Sequence, residues 1–383
     1  MSTPTAKTDT RLPGLDGLRG IACFMVFFYH LRWSAQPSDT APLVLPIGGL
    51  NLEFLLRKFD IGVAIFFVLS GLLLSLPFWR AILESQPAPQ MGRYLWRRAC
   101  RIVPAYFAVL VAVYLLRGDT YTFYGALDFL LHVTFLHNFA DYAYLGPHRD
   151  LWTIGIEFQF YLLLPLIMAA VASVFRKCGA AVALLALLVG CWLADVAATS
   201  ALRMAEPFIP DRFVSATGDV VVGTVFSYLK LFAFGIAAAF AVLRVRCSER
   251  SADIACVACI VATAALVTFG DEAGWRHTAA LGWPLNALVL GTLAASVARS
   301  GFFARALSTK WMAAAGTISY GIYLWHDLVL HAAFAGTLRG NLSGFPLFFI
   351  GGAIALAVTL IIATLSWCFI ERGTLRAPYP FAR

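Results

Sequence analysis

The chain has 383 residues, of which 60% are hydrophobic and only 13% are charged. A soluble domain carries about a quarter charged residues, so this composition excludes a soluble or disordered protein and indicates a polytopic membrane protein. The formal net charge of +8 comes from 29 lysines and arginines against 21 acidic residues. In a membrane protein such a surplus is typical of cytoplasmic loops rather than of nucleic-acid binding.

Apolar segments of about 20 residues, the length that crosses a bilayer core, recur along the whole chain. We predict an all-α integral membrane protein with ten transmembrane helices, forming a single membrane domain over residues 1–383. The predicted spans are 15–33, 59–79, 102–118, 151–174, 179–199, 218–242, 252–270, 281–299, 312–335 and 346–370. The stretch 123–139 is also apolar, but its Asp128, His132 and His137 favour an interfacial or re-entrant helix. If it crossed the membrane, every later loop would change side.

The distribution of lysine and arginine sets the predicted orientation. With the N-terminus inside the cell, cytoplasmic segments hold about twice as many basic residues as external ones, so both termini are predicted to be cytoplasmic. The eight cysteines fall in apolar spans or predicted cytoplasmic loops, which argues against a disulfide framework. Cys256 and Cys259 form a lone Cys-x-x-Cys pair, which we assign to helix packing rather than to a metal site.

Ionisable groups inside a membrane are energetically expensive, so they are the first candidates for function. The predicted spans contain Asp16, Arg19, His30, Glu157, Lys230, His326 and Asp327. Arg19 and His30 are about three helical turns apart, which places both on one side of the first helix, about 16 Å apart along its axis. The alternative is that Arg19 only pairs with Asp16 and that His30 merely lies at the membrane interface.

A second group of arginines precedes the third span, in the segment Arg-Tyr-Leu-Trp-Arg-Arg-Ala-Cys-Arg from 93 to 101. Arg98 and Arg101 share one helix face at a spacing of three, and their guanidinium groups suit phosphate oxygens. The alternative is a topogenic patch that touches anionic lipid.

The fourth span opens with Trp152 at the predicted outer interface and holds Glu157 about two turns deeper. A carboxylate at that depth must be neutral, paired or in contact with water. Tyr161 shares its helix face at a spacing of four, so a helix-packing hydrogen bond is the alternative to a functional role.

The ninth span carries Tyr323 and His326 in its outer half, three residues apart. His30, Glu157 and His326 therefore come from three helices at similar predicted depth, although a structural role for His326 is equally compatible with the pattern. Ser70 lies near the middle of the second span, in a Ser-Gly pair that suits either close packing or the lining of a site.

These segments occur in the order found in one known family. They are Leu-Asp-Gly-Leu-Arg-Gly-Ile-Ala through His30, Phe66 to Leu72, Arg98 to Pro104, Trp152 through Tyr161 to Pro165, and Ser319 to His326. In these motifs the chain resembles the bacterial membrane acyltransferase-3 family, whose opening signature is Arg-x10-His. Each motif alone is weakly specific, whereas five in order over about 310 residues are strongly specific.

The resemblance implies a ten-helix O-acyltransferase of the bacterial inner membrane. Such an enzyme takes an acyl group, expected here to be acetyl, from cytoplasmic acyl-CoA and places it on a hydroxyl, often of a surface glycan. Acetyl-CoA, the acceptor and the lipid bilayer are the expected partners, and neither a metal nor a nucleic acid is expected. Some members carry a fused esterase-like domain; this sequence has none, which favours transfer completed within the membrane domain.

We assign His30 as the general base on the acceptor hydroxyl, because an imidazole titrates near the working pH. Glu157 is expected to orient His30 or to bind the acceptor. The cationic groups Arg19, Arg98 and Arg101 are expected to hold the CoA phosphates, so that the extended pantetheine arm reaches His30. The expected substrate contacts are Ser70, Trp152, Tyr161, Tyr323 and His326. An acyl-histidine intermediate is the competing route, and no donor to the oxyanion is assigned.

The acceptor stays open among lipopolysaccharide O-antigen, exopolysaccharide, a lipid-linked oligosaccharide and a small molecule such as a macrolide. A proton-coupled secondary transporter would also place histidine and glutamate in the membrane. The sequence does not show the paired halves with broken helices that inverted-repeat transporters have, which disfavours this class. A structural scaffold would leave the intramembrane polar groups without a purpose.

Overall fold

A computed structural model of the protein describes residues 12, 14–35, 52–117, 123–139, 150–205, 224–273, 282–334 and 344–380. All regular secondary structure in these residues is helical, which confirms the all-α prediction. Six of the described helices are long and apolar enough to cross a membrane: Leu52–Leu83, Met91–Leu116, Leu151–Ala198, Val225–Arg244, Glu249–Gly270 and Leu347–Thr374. The chain is therefore a multi-pass membrane protein, while ten spans with cytoplasmic termini stay a prediction.

The described residues of the first half of the chain form six α-helices. They are α1 (Leu15–Ala35), α2 (Leu52–Arg57), α3 (Ile61–Leu83), α4 (Met91–Arg117), α5 (Phe123–Val133) and α6 (Leu151–Ala205). The long run of α6 is broken at Gly179, whose φ of 82° is easily adopted only without a side chain. The break lies where the predicted spans 151–174 and 179–199 meet, so the prediction of two separate helices there is confirmed.

The described residues of the second half form six further helices of at least six residues each. They are α7 (Val225–Arg244), α8 (Glu249–Glu272), α9 (Gly282–Val297), α10 (Phe302–Leu307), α11 (Lys310–Phe334) and α12 (Leu347–Thr374). Two π-helical turns, Leu347–Gly351 and Trp367–Glu371, flank the regular part of α12. The predicted start of the sixth span, residues 218–223, lies outside the described residues.

The stretch 123–139 is a short helix followed by a turn and a 3₁₀ turn at His137–Phe139. With 11 residues, α5 is about 16 Å long, which is too short to cross a bilayer core. The rings of His132 and His137 stack 4.1 Å apart, and burial beside His132 lowers the pKa of His137 to about 3. His137 Nε2 lies 3.2 Å from the carbonyl oxygen of Leu151, so this stacked pair is packed against the first turn of α6.

Two close helix contacts position the functional residues. A Cβ on Gly71 of α3 would overlap the carbonyl oxygen of Phe232 in α7, so close packing accounts for the glycine of the Ser-Gly pair. A Cβ on Gly316 of α11 would likewise overlap the carbonyl oxygen of Asp16 in α1. Small residues let backbones approach in this way, and the second contact brings α1 and α11, which carry the two predicted histidines, side by side.

Lys230, one of the intramembrane charges, is buried and belongs to an ion pair. Its ammonium nitrogen lies 2.5 Å from a carboxylate oxygen of Asp195, which joins α7 to α6. A buried ammonium group requires such a partner. We therefore assign this charge to the packing of the two helices. All eight cysteines are free, as predicted, and both members of the Cys256–Cys259 pair are buried.

Candidate active site

A cavity of about 600 Å³ lies between α1, α3, α4, α6 and α11. Its lining follows α3 from Val63 to Phe78, a length of about 22 Å at 1.5 Å per residue. Seven predicted site residues line it: Arg19, Ser70, Arg98, Arg101, Glu157, Tyr161 and Tyr323. Residues that are distant in sequence are thus brought to one elongated chamber.

One end of this cavity is strongly basic. Arg93 and Arg97 line it together with the predicted arginines, and the ring of Tyr94 contacts that of Phe78 at 5.6 Å, which places this end at the C-terminal part of α3. Arg98 Nε and the hydroxyl of Tyr94 are buried and have no hydrogen-bond partner among the described residues. Unsatisfied buried donors beside several cations fit an anionic, oxygen-rich ligand.

Arg101 is held in place by side chains from two helices. One of its guanidinium nitrogens lies 3.8 Å from a carboxylate oxygen of Glu371, which α12 contributes and which is buried. The guanidinium carbon also lies 5.7 Å from the ring centre of Tyr320 and 5.8 Å from that of Trp367. Charge and aromatic faces therefore fix the direction in which Arg101 enters the cavity. Glu371 is not among the site residues predicted from the sequence.

Arg19 reaches the cavity from α1. Its guanidinium group lies 3.9 Å from the carboxylate of Asp16, one turn earlier, which is near the limit of an ion pair. The two roles that the sequence left as alternatives, pairing with Asp16 and lining a site, therefore occur together.

Glu157 accepts two hydrogen bonds from hydroxyl groups in the cavity wall. The donors are Ser70 at 2.7 Å and Tyr161 at 2.8 Å, and both donate to Oε1. No described side chain donates to Oε2, which leaves that oxygen available to a ligand. The helix-packing hydrogen bond and the lining role are thus both present at this residue.

His30 and His326 meet at a carboxylate that the sequence analysis did not select, that of Asp150. His30 Nε2 lies 3.1 Å from Asp150 Oδ1, and His326 Nε2 lies 3.0 Å from Oδ2. His326 Nε2 is also 3.2 Å from His30 Nδ1. Asp150 is 2% exposed and His326 is 1% exposed. We call these three residues the acid–base cluster.

Asp150 was missed because it directly precedes the predicted fourth span, and only groups within the spans were considered. An acidic residue in front of a helix is ordinarily interpreted as an N-terminal cap. Here the carboxylate turns to the histidines instead, while the backbone carbonyl of Asp150 accepts a hydrogen bond from the hydroxyl of Thr153 at 3.1 Å. Sequence alone gives no signal for that direction.

Tyr323 connects the cavity to the acid–base cluster. Its ring lines the cavity, where it lies 5.8 Å from the ring of Phe66, and it is 5.7 Å from the ring of His326. Its hydroxyl lies 2.7 Å from that of Thr153 and donates to the carbonyl oxygen of Asp150 at 3.3 Å. The end of the cavity opposite the arginines is therefore in contact with the cluster.

Two predicted substrate contacts lie away from the described lining of the cavity. Trp152 packs its ring against Tyr228 at 5.3 Å and Phe67 at 6.4 Å. His326 is buried and contacts Tyr323 and Phe27 as well as the other members of the acid–base cluster, and neither it nor His30 is part of the described cavity lining. A direct substrate contact for either residue stays a prediction.

The acid–base cluster also has the composition of a metal site. Its ligand atoms all lie within 4.8 Å of one another. In the described part of the chain, no other group of three or more histidine, cysteine and acidic side chains meets this distance. Two imidazoles and a carboxylate are ligands that suit zinc. The geometry alone is thus compatible with either proton transfer or metal binding.

Comparisons with known proteins agree with the motifs. The chain is 27% identical to the peptidoglycan O-acetyltransferase OatA of Listeria monocytogenes, over 97% of this chain and 57% of that protein. It is 26% identical to YrhL of Bacillus subtilis, a candidate peptidoglycan O-acetyltransferase, over 94% of this chain and 54% of that protein. The chain thus spans little more than half the length of these curated relatives, and no solved structure matches it.

A family model described as an acyltransferase domain matches residues 12–364. This match covers almost the entire chain, including every motif on which the resemblance was based. The protein therefore belongs to the acyltransferase-3 family.

Proposed function

We propose that this protein transfers an acetyl group from cytoplasmic acetyl-CoA to a hydroxyl of a cell-surface or exported glycan, in the bacterial inner membrane. The observation that supports this most is the elongated cavity, with arginines at one end and contact with the acid–base cluster at the other. Two relatives are named for peptidoglycan O-acetylation, which supports our proposal of a surface glycan as the acceptor.

The basic end of the cavity is the proposed binding site for the phosphates of the donor. Arginine forks bind phosphate oxygens through paired hydrogen bonds, and Arg98 has a buried Nε without a described partner. Arg19, Arg93, Arg97 and Arg101 add positive charge around it. The cavity length of about 22 Å along α3 is of the order of an extended pantetheine arm, so the thioester would lie at the Tyr323 end.

His30 is the proposed general base. It takes the proton of the acceptor hydroxyl while that oxygen attacks the thioester carbonyl carbon, and the tetrahedral intermediate then expels the CoA thiolate. The thiolate receives the proton from His30, so the products are the acetyl ester and free CoA. Glu157 is proposed to align the acceptor through Oε2, because Oε1 already accepts two hydrogen bonds. Attack by His30 itself, through an acetyl-histidine, is the competing route.

The test measures donor binding and transfer separately, with the full chain in detergent. Calorimetry with acetyl-CoA is expected to show micromolar binding that Arg98→Ala weakens by at least about tenfold, since it loses a charge-assisted contact. Arg250→Ala is the matched control, because Arg250 is exposed and lies outside the described cavity lining. His30→Ala is expected to bind the donor normally but to transfer no labelled acetyl group to cell-wall glycan. Absence of acetyl-CoA binding to the wild-type protein would overturn the proposal.

A further inference from the structure

Both rings of the acid–base cluster are fixed by carbonyl groups of their own helices. His30 Nδ1 lies 3.0 Å from the carbonyl oxygen of Val26, and His326 Nδ1 lies 2.7 Å from that of Tyr323. A carbonyl oxygen can only accept a hydrogen bond, so each Nδ1 carries a hydrogen. The Nε2 atoms of the two rings are therefore the nitrogens that face Asp150.

The contact between His30 and Asp150 requires a second hydrogen on the His30 ring. An ionised carboxylate only accepts, so His30 Nε2 and Asp150 Oδ1, 3.1 Å apart, attract each other only with a proton between them. With Nδ1 of both rings protonated, one further proton on the Nε2 atom of either ring gives an imidazolium ion that faces this carboxylate, since His326 Nε2 lies 3.0 Å from Asp150 Oδ2. This geometry is that of an imidazolium–carboxylate pair, which is the state that a histidine base reaches after it accepts a proton.

His326 completes the arrangement on the other side of the ring. Because its Nδ1 hydrogen is donated to the carbonyl oxygen of Tyr323, its Nε2 faces both His30 Nδ1, at 3.2 Å, and Asp150 Oδ2, at 3.0 Å. His30 is thereby held from both ring nitrogens. Two other carboxylates lie nearby. Glu157 accepts hydrogen bonds from hydroxyl groups in the cavity wall. Asp327 follows His326 on α11 and adds negative charge near both rings.

We propose that Asp150 and His326 are the positioning residues of the reaction, an inference that rests on the proposed role of His30 as general base. Asp150 balances the positive charge that His30 gains when the acceptor proton moves to Nε2, and His326 fixes the plane of the His30 ring. The proton leaves His30 for the sulfur of the departing CoA, so the cluster ends the cycle with the charge that it had at the start. Since Asp150 is almost fully buried, little water competes for this charge.

The test compares isosteric variants for turnover and for donor affinity. Asp150→Asn keeps the shape but cannot balance an imidazolium, so we expect kcat to fall by about 100-fold or more. The dissociation constant for acetyl-CoA is expected to change less than about twofold, because the arginine end of the cavity is untouched. Asp150→Glu, which retains a carboxylate, is expected to recover part of the rate. If Asp150 had a purely structural role, Asp150→Asn would yield less folded protein. The protein that did fold would not combine a large loss of kcat with an unchanged dissociation constant for acetyl-CoA.

His326→Gln is expected to lower kcat by about tenfold, in the range seen for losses of a supporting hydrogen bond. Both residues act through His30, so their effects should not add. The double variant should therefore have nearly the same kcat as Asp150→Asn alone. Asp128→Asn is the control: this buried carboxylate accepts a hydrogen bond from Tyr114, away from the cavity lining, and the variant should keep wild-type kcat.

Two results would overturn the inference. The first is wild-type kcat in Asp150→Asn while the wild-type protein binds acetyl-CoA and transfers acetyl groups, an outcome that leaves the proposed function intact. The second is a stoichiometric metal ion found by elemental analysis in the wild-type protein and lost in Asp150→Asn, because the cluster would then be a metal centre. If Asp150→Asn did not fold, kcat would be measured for Asp150→Glu and His326→Gln instead. Wild-type kcat in both variants would then overturn the inference.

Discussion

Ser70 donates its hydroxyl hydrogen to Oε1 of Glu157 across 2.7 Å, and this bond joins α3 to α6 in the wall of the cavity. Tyr161 donates to the same oxygen, so the two hydroxyls fix the carboxylate plane and direct Oε2 away from its protein partners. A helix-packing bond and a ligand-facing group are therefore parts of one arrangement. The two roles that the sequence leaves as alternatives for Glu157 therefore occur together.

Glu157→Gln is expected to lower acetyl transfer by about 100-fold while the protein stays folded. The amide oxygen can still accept from both hydroxyls, so the packing between the helices is kept. The position of Oε2, however, becomes an NH₂ group that donates instead of accepting, and a positioned acceptor hydroxyl would lose its partner. The measurement is the rate of transfer from labelled acetyl-CoA at saturating donor.

Ser70→Ala is the comparison for this prediction. It removes one of two bonds to Oε1 and leaves the charge of Glu157, so we expect about a tenfold loss or less. Donor affinity should be unchanged in both variants. A Glu157→Gln variant with wild-type transfer would reduce Glu157 to a packing residue.

Glu371→Gln is expected to raise the KM for acetyl-CoA by about three- to tenfold, with little change in kcat. The carboxylate of Glu371 lies 3.8 Å from Arg101 and is buried in α12, so it directs the guanidinium group into the basic end of the cavity. A neutral amide keeps the shape but holds the cation less firmly, which weakens binding rather than chemistry. Initial rates at varied donor concentration measure both constants.

The control for Glu371 is Glu249, which is exposed at the start of α8 and lies outside the described cavity lining. Glu249→Gln should leave KM unchanged. If the kcat of Glu371→Gln at saturating donor fell by as large a factor as KM was expected to rise, this residue would act on the chemistry or on the fold instead.

The two carboxylates that sequence reasoning missed have one feature in common. Asp150 lies one residue before the predicted span 151–174, and Glu371 lies one residue after the predicted span 346–370. Each carboxylate is the first polar residue that bounds its apolar run, so each lies outside the predicted span. Both side chains turn toward groups on other helices, and such a direction depends on tertiary packing that a hydropathy pattern does not contain.

The candidate residues that were selected from the sequence were detectable for a simple physical reason. Charged and polar groups such as Arg19, Glu157 and His326 are costly in an apolar segment, so each one is visible against its neighbours. The break of α6 at Gly179 and the short α5 were likewise accessible, because one follows from a glycine and the other from the length of an apolar run. The contacts of His30 with Asp150 and His326 could not be predicted, because they depend on the packing of α1 against α11.

Asp195→Leu is expected to destabilise the protein by about 3 kcal/mol, because it leaves the buried ammonium group of Lys230 without its carboxylate. Thermal unfolding in detergent is the measurement. The double variant with Lys230→Met should recover most of this loss, since it removes the remaining charge and fills the volume with an apolar side chain. Activity per folded molecule should be unchanged in the double variant. No recovery would mean that the pair is not the main contribution at this site.

Gly71→Ala tests whether the close approach of α3 to α7 sets the shape of the cavity. The new methyl group would overlap the carbonyl oxygen of Phe232, and backbone on both sides leaves no flexible group to yield, so the helices must separate. Overpacking of this kind costs about 1–3 kcal/mol. Because Ser70 is the adjacent residue, the same displacement should lengthen its bond to Glu157 and lower transfer as well as the melting temperature.

Gly190→Ala is the matched control for Gly71→Ala. A Cβ at Gly190 meets nothing within 4 Å, and the residue lies in the helical part of α6 after the break at Gly179. Alanine in a helix interior is favoured over glycine by up to about 1 kcal/mol, so this variant should be as stable as the wild type or more stable, with unchanged transfer. If both variants lost stability equally, helix separation would not be the cause. If Gly71→Ala lost stability but kept full transfer, the Ser70–Glu157 bond would not depend on this contact.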